Sequence, residues 1–438
     1  MIKSKKCILT FLLCLLSIAG FSQLKNNPAL EEDFMDMGFG IFVHWSVDSQ
    51  LGSVISHSMV GASEDYVERY MTELPSTFYP KDYDPDEWAR LFKLTGAEYV
   101  VFTTKHHNGF CMWDTQTTDF NIMNTPYGKD ITAMLVESLR KFGLKVGFYF
   151  SPEDFSFIHN QGHLISRKGP MTQVTDNEEL YEYAKKQVDE LFTNYGNIDM
   201  VFFDSFSNQN LVQYVHEEYP DIVVTRGEME TPEQKIPDAP LPGPWETCMT
   251  MGTQWAYKPT NEEYKDGGDL INKLIEIRAK GGNFLMNIGP KPNGEIPIEQ
   301  EERLREMALW MFINNESVKN VRTVPSVIKE GDLWFTKAKD DNTAYVFITN
   351  QTAWPYGKRR LFYTESIRGT DQTEISVLGQ NDLVVEYSPD NKPTTRYSQR
   401  EDKLELSITR AQRVYNNKTW PNPIVVKLTN VEFVQSEK

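Results

Sequence analysis

The chain has 438 residues, more than one hydrophobic core usually holds, so two domains are expected. Hydrophobic residues make up 40% and aromatics 12%, a globular composition rich in the flat side chains that line large cores and sugar sites. The formal net charge of −17 argues against binding nucleic acid or an anionic membrane through the overall field, and suits a neutral ligand.

The first 22 residues read as a signal peptide rather than as part of the fold. Lys3, Lys5 and Lys6 precede the apolar stretch CILTFLLCLLSIAGF, and small residues stand before Gln23, the expected mature start. Export to the periplasm or beyond is therefore expected, with no membrane span in the mature chain. Cys7 and Cys14 fall inside this segment, leaving only Cys111 and Cys248. Two cysteines are not a disulfide framework, and no His/Cys cluster has metal-ligand spacing, so a structural zinc is not expected.

GFGIFVHW (38–45) is an apolar run ending in His44 and Trp45. A connection with Pro75, Pro80 and Pro85 leads to a helix over 84–97. EYVVFTTKHHNGF (98–110) is a second run, ending in His106 and His107. After a helix stopped by Gly143, KVGFYFSPEDF (145–155) is a third strand with Tyr149 near its end. A long helix over 177–195 precedes NIDMVFFDS (197–205), whose apolar part stops at Asp204. A short helix (208–218), the run DIVVTRG with Arg226, and a Pro-rich loop follow. WETCMTM (245–251) carries Glu246 at its start. A helix over 269–282, the strand NFLMNIGP and a closing helix over 297–315 complete the series.

Alternating strands and helices imply a parallel sheet with crossover helices. Seven strands with room for an eighth favour a (β/α)8 barrel, spanning residues 23–319, over an open sheet. No G-x-G-x-x-G follows the first strand, which disfavours a dinucleotide-binding sheet. From residue 320 to 438 the segments are short, alternating and separated by turns, the texture of an antiparallel β-sandwich.

In such a barrel the working face lies at the C-terminal strand ends. Those ends carry His44, His106, His107, Tyr149, Asp204 and Arg226. Capping of the next helix explains Asp204 and Ser151, but it does not explain three imidazoles and a guanidinium. With Trp45 and Trp113 nearby, the set suits a sugar, whose hydroxyls take polar donors and whose C–H faces take indoles. A glycosidase also needs two carboxyl groups in different environments. Asp204, within reach of Arg226, is expected to stay ionised, and Glu246 beside Trp245 is the expected protonated partner. A loop carboxylate in water is the bland alternative for Glu246.

The stretches GIFVHW, KHHNGFCMWDT, YFSPEDF, FFDS, WETCMT and GGNFLMNIGPKPNGEIP resemble those of the α-L-fucosidases of glycoside hydrolase family 29, along residues 30–320. The resemblance implies a barrel with a C-terminal sandwich, a retaining double displacement that requires no metal or other cofactor, and an exo-acting site for terminal α-L-fucose on an oligosaccharide or glycoconjugate. It gives Asp204 the role of nucleophile and Glu246 that of acid/base, with Glu233 of TPEQ in reserve. It assigns fucose contacts to His44, His106, His107, Arg226, Glu64 of SEDY and Tyr149. Trp255 or Phe284 is expected to meet the C5 methyl. Asp65 and Asn108 depart from the family's usual Trp and Asp, which leaves α-L-galactosides as an alternative substrate. A non-catalytic fucose-binding protein is the alternative of a different class.

Overall fold

A computed structural model describes residues 25–385, 388–411 and 422–434. The expected signal peptide lies outside the described residues. The apolar runs form parallel strands β1 (Phe39–Val43), β2 (Tyr99–Lys105), β3 (Lys145–Phe150), β4 (Met200–Phe203), β5 (Val223–Val224), β6 (Glu246–Thr250) and β7 (Asn283–Ile288). They join in the order β5-β4-β3-β2-β1-β7-β6. Apart from Lys145, every residue of these strands is buried, as a parallel sheet clad in helices requires.

The helices are α1 (Pro28–Met37), α2 (Glu64–Thr77), α3 (Pro85–Leu94), α4 (Ile131–Lys141), α5 (Phe155–Asn160), α6 (Glu178–Asn194), α7 (Gln209–Glu218), α8 (Gly267–Ala279) and α9 (Ile298–Asn314). Asp84, Asp130, Asp154 and Asn177 cap α3, α4, α5 and α6 by accepting from a backbone N–H in the first turn. Both α1 and α2 were absent from the sequence reading. Ser63 caps α2, and Pro75 is tolerated in its last turn, where the prolines had suggested a plain connection.

The eighth barrel position is filled by irregular chain. Past β5 the backbone turns at Gly227, which sits at φ 114°. Residues 229–234 then run alongside β6. Glu246 N donates to Glu230 O at 3.2 Å, Cys248 N to Pro232 O at 3.2 Å, and Gln234 N to Cys248 O at 2.9 Å. On the other side, Phe203 N donates to Arg226 O at 3.1 Å. Proline has no N–H to give a ladder, so this stretch pairs only in part. It nevertheless closes the barrel.

Inside, Phe42, Tyr99, Val101, Met200, Phe202 and Leu285 form a packed layer, with Phe34 and Met37 of α1 against its lower side. Gly40 leaves the room that the Tyr99 ring occupies, since a Cβ there would fall 2.4 Å from it. The interior is thus solid toward the N-terminal strand ends, and the space available to a ligand opens at the other end.

Beyond α9 follow β8 (Val321–Arg322), β9 (Lys329–Glu330), β10 (Leu333–Ala338), β11 (Ala344–Ile348), β12 (Arg359–Thr364), β13 (Ile367–Val377), β14 (Arg396–Arg400), β15 (Lys403–Thr409) and β16 (Ile424–Phe433). They pair antiparallel in two sheets around their own apolar core. This is the expected sandwich. Trp310 of α9 fixes it to the barrel by stacking on Phe347 at 6.4 Å and donating to Pro423 O at 2.9 Å. Cys111 and Cys248 are both free and buried. No helix among the described residues is long and apolar enough to cross a membrane.

Candidate active site

A cavity of about 1050 Å³ opens at the C-terminal strand ends. Phe42 and Phe202 belong to the packed interior and also line the cavity, so they form its floor. Above them stand His44, His106, Tyr149, Asp204, Arg226, Glu233 and Trp255. Strand parity explains this set, because Phe42 and His44 share the inner face of β1, as Phe202 and Asp204 share that of β4.

Asp204 is the most heavily supported side chain. Tyr149 OH donates to its Oδ2 at 2.7 Å and Arg226 Nη1 to its Oδ1 at 3.1 Å. His107 Nε2 lies 3.3 Å from Oδ2. Burial alone would raise the carboxyl, but His107 and Arg226 outweigh it and hold Asp204 well below the usual carboxylate range. Arg226 Nη1 also donates to Glu233 Oε2 at 3.2 Å. A nitrogen 3.1 Å from one carboxylate and 3.2 Å from the other places their nearest oxygens no more than 6.3 Å apart.

The polar contacts continue on the far side of Asp204. His107 Nδ1 lies 2.5 Å from Ser151 Oγ, which itself donates to Glu153 O at 2.8 Å. The serine must therefore accept, so the hydrogen is on Nδ1. Glu153 Oε2 sits 3.7 Å from that nitrogen and accepts from Arg167 Nε at 2.9 Å. The result is a continuous row of contacts through Glu233, Arg226, Asp204, His107, Glu153 and Arg167. Sequence reasoning took Ser151 for a helix cap and missed Glu153 and Arg167, whereas Asp154 is the cap. The signal for Glu153 was its place directly after the third strand.

The other imidazoles are fixed as one acceptor and one donor. Asn287 Nδ2 donates to Trp255 O at 2.7 Å, so its Oδ1 accepts from His44 Nδ1 at 2.6 Å, leaving the His44 Nε2 lone pair bare. Burial lowers His44 to about 3, which keeps the ring neutral. His106 Nδ1 accepts from the His107 N–H at 2.9 Å, which places the hydrogen of the neutral ring on Nε2. Burial lowers this histidine too. Ligand atoms of His106, His107 and Asp204 lie within 4.8 Å of one another. Yet Tyr149 and Arg226 already occupy both Asp204 oxygens, and a guanidinium at 3.1 Å opposes a second cation there.

Several expected site residues lie elsewhere. Glu246 does not face Asp204 across the cavity. It opens β6 rather than ending it, one inward-facing position below Cys248, and is fully buried with Oε2 accepting from Tyr99 OH at 2.9 Å. Trp45 has the opposite parity to His44 and packs outside the sheet against Phe78, Tyr83 and Trp88. Phe284 likewise faces the outer layer, against Phe39. Trp113 is buried and donates to Glu190 at 3.0 Å. Glu64 starts α2, exposed and paired with His159 at 2.7 Å, outside the cavity lining. His107 contacts Asp204 rather than the open space.

Burial pushes Glu246 up to about 7, a shift that on chemistry alone would mark a catalytic acid. Its placement gives it a different consequence. The folded chain holds a proton that the unfolded chain releases from the ordinary 4.5 upward. Stability contributed by that proton is complete at low pH and is lost as pH rises toward about 7, by on the order of 3 kcal/mol. Denaturation of Glu246→Gln at several pH values is expected to show this slope removed. An unchanged slope would place the proton elsewhere.

A barrel with an appended sandwich, and a blind cavity holding two arginine-bridged carboxylates, belongs to the glycoside hydrolases. The family model described as Alpha-L-fucosidase matches residues 20–316, and the chain belongs to that family. Rat plasma alpha-L-fucosidase is 29% identical over 78% of this chain and 81% of its own length. The alpha-L-fucosidase of Dictyostelium discoideum is 26% identical over 78% of this chain and 84% of its own. Among solved structures, isoenzyme 1 from Paenibacillus thiaminolyticus superposes with a TM-score of 0.73 at 26% identity, covering 92% of this chain and 100% of its own.

Proposed function

We propose that this protein is an exo-acting, retaining α-L-fucosidase that removes terminal α-L-fucose from glycans through a covalent fucosyl-enzyme. Asp204 attacks the anomeric carbon, and Glu233 protonates the departing oxygen, then deprotonates the incoming water. The reading rests on the shared Arg226, which limits the separation of the two carboxylates to 6.3 Å. Retaining enzymes hold theirs about 5–5.5 Å apart, and inverting ones need roughly 6.5–9.5 Å. Glu233 replaces Glu246 as acid/base because it stands 45% exposed at the cavity rim, where a leaving group departs.

Substrate choice follows from the walls. His44 Nε2 accepts from one sugar hydroxyl and His106 Nε2 donates to another. Trp255, 4.9 Å from the His44 ring and 6.0 Å from Phe42, offers the apolar wall that suits a C5 methyl better than the hydroxymethyl of L-galactose. The closed floor limits cleavage to terminal residues. The acidic chain and the amino-terminal apolar stretch fit an exported protein that meets glycans outside the cytoplasm.

Aryl α-L-fucoside and α-L-galactoside should be compared, with the first-formed sugar followed by NMR. Faster turnover of the fucoside and initial release of α-L-fucose are expected. Initial β-L-fucose would rule out the double displacement.

A further inference from the structure

The cavity is larger than one terminal sugar requires, since about 1050 Å³ lies at the top of the range that holds entire drug-sized ligands. The chain beyond Asp204 shows what the remaining space is for. Phe206 is 60% exposed and lines the cavity two residues after Asp204, a reach of at most about 7 Å along the backbone. One face of its ring is backed by the Arg167 guanidinium, 5.1 Å from the centroid. Arg167 is itself only 17% exposed and is pinned by the buried Glu153 at 2.9 Å, so it lies under the ring. Lys168 Nζ also lies over the ring, 5.8 Å from the centroid, and the two cations hold it in place while most of its surface stays exposed.

We propose that Phe206, backed by Arg167, forms the subsite for the leaving sugar, a neutral hexopyranose that stacks its C–H face on the ring. This rests on the fucosidase reading for which bond is cut, but not for the stacking itself. Glu233 must lie within hydrogen-bond reach of the glycosidic oxygen, and both Glu233 and Phe206 line the one cavity that Asp204 enters. A sugar attached to that oxygen enters the space that the exposed Phe206 ring borders. An aromatic ring suits the flat, hydrogen-bearing face of a pyranose, and the cations over it hold it in place. Ile236 and Leu241, partly buried, border the same space.

The test compares wild type with Phe206→Ala and Phe206→Trp on a fucosylated oligosaccharide and on α-L-fucosyl fluoride, whose leaving group is too small to reach the ring. The ratio of the two kcat/KM values is expected to fall about tenfold in Phe206→Ala, the scale of one aromatic contact, and to recover in Phe206→Trp. Equal losses on both substrates would overturn the subsite. A second measurement does not depend on which glycoside is hydrolysed. In saturation-transfer NMR with methyl β-D-galactopyranoside, the C–H face protons should be saturated by wild type and not by Phe206→Ala. Equal transfer from both proteins would overturn the stacking. Stacking without fucoside turnover would leave the subsite standing and strike the fucosidase reading instead.

Discussion

Asp204→Ala is expected to abolish turnover of an aryl α-L-fucoside, by on the order of 10⁴–10⁶-fold, the scale on which loss of a nucleophile is felt. The fold should survive. Arg226 keeps Glu233, with which it shares a 3.2 Å bond, and His107 keeps Ser151 and the neighbouring Glu153, so no buried charge loses every partner. Truncation also removes a carboxylate whose desolvation was costly. Thermal melting within a few degrees of wild type is therefore the control. Azide fits the space vacated by the carboxylate and should restore turnover, giving a fucosyl azide of inverted configuration. An alanine variant that retains wild-type activity would end the assignment of Asp204.

Much of this site was legible because polar side chains at the ends of apolar strand runs are conspicuous. His44, His106, Tyr149, Asp204 and Arg226 were found in that way, and all five line the cavity. Errors arose where the period of two was not applied within a strand. Trp45 adjoins His44, and Phe284 lies between inward-facing positions, so each had to face the helices. Glu246 was misplaced for a related reason. It was chosen for its indole neighbour Trp245 and its place in the WETCMT block, although the first position of a strand lies away from the working end. Pro232 hid the closing edge of the barrel, and with it the position of Glu233. The sandwich was easier to read, because alternation such as Leu404, Leu406 and Ile408, all buried on β15, persists through its strands.

The roles of Glu233 and Glu246 separate in a single leaving-group series. Without an acid, a sugar alcohol departs as a poor alkoxide, whereas an activated phenolate needs little help. Glu233→Ala is therefore expected to lose about 10²–10⁴-fold on an oligosaccharide and far less in the glycosylation step of a dinitrophenyl fucoside. Azide should again rescue, but the product now retains configuration, because azide replaces water on the fucosyl-enzyme and requires no base. Arg226 still holds Asp204 at 3.1 Å in this variant, so the nucleophile stays charged and in place. Glu246 lines no part of the cavity and acts on the reaction through its neighbours, Tyr99, which donates to it, and the charge of Arg226. Whatever activity Glu246→Gln loses should be lost equally for good and poor leaving groups, with no azide effect. If Glu246→Gln showed the leaving-group dependence and Glu233→Ala did not, proton transfer would have to pass through a side chain that lines no part of the cavity, and the geometry drawn from Arg226 would be wrong.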